Sequence, residues 1–238
     1  MSYLSNLRGF LPTSMLDWPG KICTVVFLGG CNFRCPYCHN PELVEAGGDT
    51  DIIPWEDVRG YLERRTGWID GVSITGGEPT LQPDLHLLCE NIRDLGMLVK
   101  LDTNGSRPAK LRTLLERGQL DFVAMDIKTS PTKYHEVAGR RIEEGLIEES
   151  IDAILSSGIE HEFRCTVVPG LVDLADLEWM AGRVAGSMGL VLQQFNPGTT
   201  LDPDYIDKKG YEEKTLQEWA DGLSRWVRTS VRGLVGIS

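Results

Sequence analysis

Six short apolar segments, alternating with amphipathic ones, set the strongest limit on how this chain can fold. Residues 22–28 (ICTVVFL), 71–75 (GVSIT), 97–102 (MLVKLD), 121–127 (DFVAMDI), 162–168 (EFRCTVV) and 189–195 (GLVLQQF) are rich in apolar or β-branched residues and are bounded by turn signals. Helical patterns lie between them. Residues 55–65 follow Pro54, and 81–95 carry Leu81, Leu85, Leu88, Ile92 and Leu95 on one face. Residues 108–117 run from Pro108 to the residue before Gly118, and 144–157, 173–185 and a final 212–229 complete the set. Strands alternating with helices give parallel β/α units, and full closure takes eight of them. The expected fold is therefore α/β: a partial (β/α)6 TIM-like barrel, its parallel sheet keeping an open side. With no internal repeat or evident linker, residues 1–238 are read as a single domain with a core at about 16–200. The polar segment 199–213 is the expected flexible loop.

A chain of 238 residues, 41% of them hydrophobic, buries a sizeable core without staples. Its net charge of -11 argues against non-specific nucleic-acid binding, which needs clustered Lys and Arg. No apolar run approaches the roughly 18 residues of a membrane span. The opening residues lack a basic start followed by an apolar stretch, so a cytoplasmic location is expected. In that compartment six cysteines are read as metal ligands, redox groups or core residues before disulfides.

Three of the cysteines share one loop, Gly29-Gly30-Cys31-Asn32-Phe33-Arg34-Cys35-Pro36-Tyr37-Cys38-His39. It follows the first strand, at the strand end where β/α barrels carry their sites. Taken alone, the loop admits four chemistries. Cys31, Cys35 and Cys38 can hold three irons of a [4Fe–4S] cluster and leave the fourth iron open. Cys35-Pro36-Tyr37-Cys38 resembles a glutaredoxin dithiol, which does not need Cys31. With His39 the same stretch fits c-type haem attachment, which usually requires export. Cys31, Cys35, Cys38 and His39 also make a zinc set. Cys23, Cys89 and Cys165 have no second cysteine at ligand spacing and are read as core residues.

Cys31-x3-Cys35-x2-Cys38, with Tyr37 before the last cysteine, resembles the radical S-adenosylmethionine (SAM) signature. Residues 9–43 resemble the opening of anaerobic ribonucleotide reductase activating proteins and, more distantly, of pyruvate formate-lyase activating enzyme. The resemblance covers roughly residues 9–200. It implies a [4Fe–4S] cluster on the three cysteines with SAM on the open iron. It also implies a glycyl radical enzyme as partner, with anaerobic ribonucleotide reductase favoured, and a flavodoxin or ferredoxin as electron donor. Gly76-Gly77-Glu78-Pro79 matches the family motif that contacts the SAM amino group. Asp126-Ile127-Lys128 matches a segment whose lysine contacts the SAM carboxylate. Tyr37, Asp102, Arg164 and Asn196 are further expected SAM contacts, Asn196 standing where the family carries a histidine. Asp102 and Asp126 are expected to share a monovalent cation; the alternative is that both cap the helices that follow. For Arg164 the alternative is a salt bridge to Asp126 or Glu162. His39 is expected beside the cluster, whereas His86, His135 and His161 are expected at the surface. The basic segment 129–141 is the expected docking edge for the partner protein. The rival within the same chemistry is a radical SAM reaction on another small molecule or peptide.

Overall fold

The computed structural model describes residues 6–44 and 51–233. Eight strands form one sheet whose spatial order follows the chain. They are β1 (Leu7–Ser14), β2 (Cys23–Leu28), β3 (Gly71–Gly76), β4 (Leu98–Thr103), β5 (Phe122–Asp126), β6 (Glu160–Val167), β7 (Leu190–Gln194) and β8 (Thr229–Arg232). β1 pairs antiparallel with β2, and every later neighbour is parallel. Among the described residues β1 and β8 do not pair, so the sheet stays open.

The six expected strands are β2–β7. The two at the edges escape the sequence pattern for different reasons. β1 contains Gly9 and Pro12, and residues 11–13 are exposed, which breaks its alternation. β8 begins at Thr229, the last residue of the stretch expected to be the final helix, and runs beyond it. That helix is only Glu213–Leu223, and the chain then turns to add Thr229–Arg232 beside β7. Arg232 holds this edge by a two-pronged bond to Glu162 on β6, each arm 2.9 Å.

Among the described residues eight helices cover the outside: α1 (Pro41–Val44), α2 (Trp55–Glu63), α3 (Leu85–Asp94), α4 (Pro108–Glu116), α5 (Tyr134–Val137), α6 (Leu146–Ser157), α7 (Leu174–Arg183) and α8 (Glu213–Leu223). Their apolar faces and the outer side chains of the strands make the main core. A smaller cluster of Trp18, Cys23, Val25, Phe122 and Ala124 fills the sheet's concave side near the strand starts. That filling leaves the strand ends as the open part of the interior. Cys23, Cys89 and Cys165 are buried and unpaired, as expected of core thiols. His161 is buried too, against expectation; its ring bonds to Ile159 O at 2.9 Å and meets Phe163 edge-on. No helix of the described residues is long and apolar enough to cross a membrane.

Candidate active site

The cysteine loop leaves β2 at Leu28 and is fastened from five directions. Gly30 N and Cys31 N donate to Leu43 O and Val44 O at 2.7 and 3.0 Å. Arg34 N donates to Ala138 O at 2.7 Å, and Glu78 N donates to Gly30 O at 2.8 Å. From β4, Asn104 Nδ2 donates to Asn32 Oδ1 at 3.1 Å. Leu201 N and Asp202 N reach Cys38 O and Pro36 O at 3.0 and 2.9 Å. The last pair corrects the reading of 199–213 as a flexible loop: it contains the turn Pro203–Tyr205 and clasps the cysteines. Its polar composition supplies bonds to backbone carbonyls, and composition alone does not separate that from solvation.

The paired glycines after β3 belong to the same fastening. A Cβ on Gly76 would stand 2.3 Å from Leu28 O, and one on Gly77 2.2 Å from Gly30 O. Gly76 also has φ +120°. The close approach that demands glycine here is therefore to the backbone of β2 and the cysteine loop. We expect Gly77→Ala to cost about 1–3 kcal/mol through that clash. It should also cut iron incorporation on anaerobic reconstitution; full iron content at unchanged melting temperature would contradict this.

Glu78 is wholly buried. Its carboxylate accepts from Thr80 N at 3.0 Å, Thr80 Oγ1 at 2.5 Å, Thr103 Oγ1 at 2.7 Å and Asn104 N at 2.7 Å. Burial raises its pKa, and these donors oppose the rise. Glu78 thus ties the end of β3 to the end of β4, and the chain itself already engages both of its oxygens.

The other charged residues form one network across β4, β5 and β6. Arg164 donates from Nε to Asp126 Oδ1 at 2.8 Å and from a terminal nitrogen to Asp102 Oδ2 at 3.2 Å. Lys128 Nζ takes Asp126 Oδ2 at 3.1 Å, and Lys100 Nζ takes Asp102 Oδ1. All four carboxylate oxygens therefore meet a cation of the chain. Arg164 occupies the place between Asp102 and Asp126 expected for a monovalent cation, and its partner is not Glu162, which serves Arg232. Neither aspartate caps a helix: Arg107 precedes α4 and Ser130 precedes the turn at Pro131. Burial opposes the charge on Asp126, yet Arg164 and Lys128 outweigh it and hold the carboxyl well below its usual range. Burial likewise opposes the Lys128 ammonium, and Asp126 outweighs it and keeps the lysine charged.

The three loop cysteines, both glycines, Asp102, Asp126, Lys128 and Arg164 line a single cavity of about 510 Å³, together with Asp17, Tyr37, Glu78, Thr166 and Gln193; Lys100 does not line it. Asn196 does not line it; its amide donates to Gly233 O at 3.0 Å. Gln193 and Thr166, joined at 3.4 Å, stand there instead. His39 lines the cavity, stacks on Phe195 at 5.8 Å and bonds through Nε2 to Asn196 O at 2.9 Å. Lys100 is the residue that sequence reading missed. It is fully buried, and the signal was a lone lysine in the middle of an apolar strand, which cannot be buried without a partner.

Burial pushes the Cys31 thiol up to about 11 and the Cys35 thiol up to about 12. A dithiol redox centre and a metal site alike need these groups as thiolates. Among the described residues no three Cys, His, Asp or Glu side chains converge on one point suited to a single metal ion. Tyr37 Oη, buried and without a hydrogen-bond partner among the described residues, is a polar atom the cavity leaves for a ligand.

Comparison with known proteins agrees. Residues 25–180 match the radical SAM superfamily. The chain is 33% identical to a Methanocaldococcus jannaschii protein provisionally named a glycyl-radical enzyme activating enzyme, over 93% of this chain and 92% of that one. It is 30% identical to pyruvate formate-lyase-activating enzyme of Clostridium pasteurianum, over 71% of each. In fold it resembles Streptococcus suis SuiB bound to its precursor peptide, with a TM-score of 0.70 at 15% identity over 88% of this chain and 48% of that one. The chain is therefore an enzyme of the radical SAM superfamily and belongs there with the glycyl-radical enzyme activating enzymes.

Proposed function

We propose that this enzyme places a glycyl radical on a partner enzyme, anaerobic ribonucleotide reductase being favoured, and acts as one domain of the cytoplasm. The observation that carries the reading is the joining of three loop cysteines with Lys128, Tyr37 and the paired glycines in one cavity of the right chemistry for a cluster and SAM. The preference for the reductase rests on the opening residues 9–43. When bound, the [4Fe–4S] cluster supplies the electron that splits SAM into methionine and the carbon radical that takes a hydrogen atom from glycine. A flavodoxin or ferredoxin is the donor in this reading.

The residues have separate tasks. Cys31, Cys35 and Cys38 would hold the cluster through their thiolates. Binding must displace thiol protons, so loading is favoured by rising pH. Lys128, kept charged by Asp126, faces the cavity and suits the SAM carboxylate. Tyr37 offers a ring and an unpaired hydroxyl beside the cysteines. Asp102, Asp126 and Arg164 hold one another, so their task is to fix Lys128 and the cavity's charge; Arg164 takes the role expected of a cation. Glu78, Gly76 and Gly77 position the loop.

The test is anaerobic reduction of the reconstituted enzyme with SAM, first alone and then with each candidate partner. Formation of 5′-deoxyadenosine establishes the chemistry. A glycyl radical signal in electron paramagnetic resonance on the ribonucleotide reductase, and none on pyruvate formate-lyase, establishes the partner. The reverse pattern of signals overturns the partner assignment, and 5′-deoxyadenosine with a signal on neither points to another peptide or small-molecule substrate.

A further inference from the structure

The cysteine loop has two sides. The inner side faces the cavity just described. The outer side carries Asn32 and Arg34, which do not line that cavity. A line of polar side chains leads outward from the first cysteine. Asn104 Nδ2 approaches Cys31 Sγ at 4.0 Å and donates to Asn32 Oδ1 at 3.1 Å; Asn32 Nδ2 donates to Ser106 Oγ at 2.8 Å. Ser106 lines a separate surface groove of about 550 Å³, alongside Arg107, Lys110 and Arg112. The outer face of the cluster site is thus three hydrogen-bonded side chains away from a basic groove.

The neighbouring surface has the same sign. Gly139 packs against the Arg34 carbonyl, and Ala138 O accepts from Arg34 N, so the segment that continues as Arg140 and Arg141 lies against the outer side of the loop. Arg107, Arg140 and Arg141 are exposed, and their guanidinium groups have no hydrogen-bond or ion-pair partner among the described residues. Glu143 and Glu149 also line the groove, and Arg112 answers Glu149 at 4.0 Å. Lys133, the remaining basic residue of segment 129–141 near its start, is consumed by Asp173 and Asp176 at 2.7 and 2.8 Å. In a chain with 35 acidic and 24 basic residues, a mainly basic face is a local reversal. A protein of net charge -11 repels an acidic partner over most of its surface, so such a face selects where that partner lands.

We propose that this face docks a small acidic electron-carrier protein. The proposal rests on the function proposed above, which requires an external one-electron donor. It reassigns the basic segment from the glycyl radical partner to the carrier, because the face addresses the outer side of the cysteine loop, whereas the partner's glycine must reach the inner cavity.

The test uses the reconstituted holoenzyme and oxidised flavodoxin as the probe, with calorimetric titration at about 20 mM and about 200 mM salt. Wild-type binding should weaken about tenfold or more between the two. The triple variant Arg107→Glu, Arg140→Glu, Arg141→Glu should bind at least about tenfold more weakly at low salt and lose most of the salt response. Lys214→Glu, on α8, should bind like wild type. Dithionite-driven 5′-deoxyadenosine formation should be equal in all three proteins, showing that the cavity is intact. Unchanged flavodoxin binding in the triple variant overturns the proposal. So does loss of binding to the glycyl radical partner with flavodoxin binding retained. Failure of dithionite to cleave SAM in the wild type would instead remove the proposed function, and the titration reads separately from that.

Discussion

Alanine in place of Cys31 is expected to abolish the iron–sulfur absorbance and SAM cleavage together while leaving the fold intact. The Cys31 sulfur receives only a 3.4 Å contact from Phe33 N and a 4.0 Å contact from Asn104 Nδ2, so its loss should cost about 1 kcal/mol of stability or less. The loop stays fastened by backbone bonds that alanine keeps. The chemistry has no such redundancy: removing one of three thiolates releases one iron and unmakes the open-iron arrangement. Iron and sulfide content after anaerobic reconstitution, visible absorbance and 5′-deoxyadenosine yield should all fall to background. Full turnover in Cys31→Ala would restore the dithiol reading, and activity recovered by zinc alone would exclude the cluster.

Arg164→Met should destabilise the enzyme by about 3–5 kcal/mol near neutral pH, the range for stripping one partner from buried charges. Two carboxylates lose their common cation at once, and methionine fills the volume without replacing a bond. The sign of the pH dependence follows from Asp126. In the wild type its carboxyl is held below the unfolded value, so its contribution is present above the usual carboxylate range and is lost as pH falls toward the depressed folded value. In the variant the folded value rises, and protonation relieves the stranded charge. The stability gap between the two proteins should therefore be widest near neutral pH and narrow on acidification toward pH about 4. A gap independent of pH would mean that packing, not charge, carries the loss. Arg164→Lys should recover only part, since an ammonium cannot bridge two carboxylates as a guanidinium does.

The sequence foretold most of the fold, and the reason is physical. β2–β7 are buried on their outer face and flanked by turns, so their apolar content marks them. β1 and β8 are defined by backbone pairing at the edges, which leaves little trace in four or eight residues of mixed character. Cys31, Cys35 and Cys38 were legible because a ligand set is a local spacing. The network of Lys100, Asp102, Asp126 and Arg164 was legible only in part. Asp102, Asp126 and Arg164 stood out as charges in or at the end of a strand and Lys100 did not, and which charge answers which depends on parallel register, such as Asp126 opposite Arg164. Asn196 shows the converse. It has suitable chemistry close to the end of β7, yet it turns to Gly233, and Gln193 and Thr166 stand in the cavity.

The clasp of residues 201 and 202 on the cysteine loop also sets a timetable. The cysteines leave the ribosome early, whereas the amides that hold Cys38 O and Pro36 O arrive more than 160 residues later. At about 5–20 residues per second, that delay is roughly ten to thirty seconds of translation. During it the three thiols belong to an unfinished enclosure. The loop's full set of backbone bonds is thus deferred to a nearly complete chain. A polypeptide released before residue 201 would carry every ligand and still lack the last two bonds that shape them.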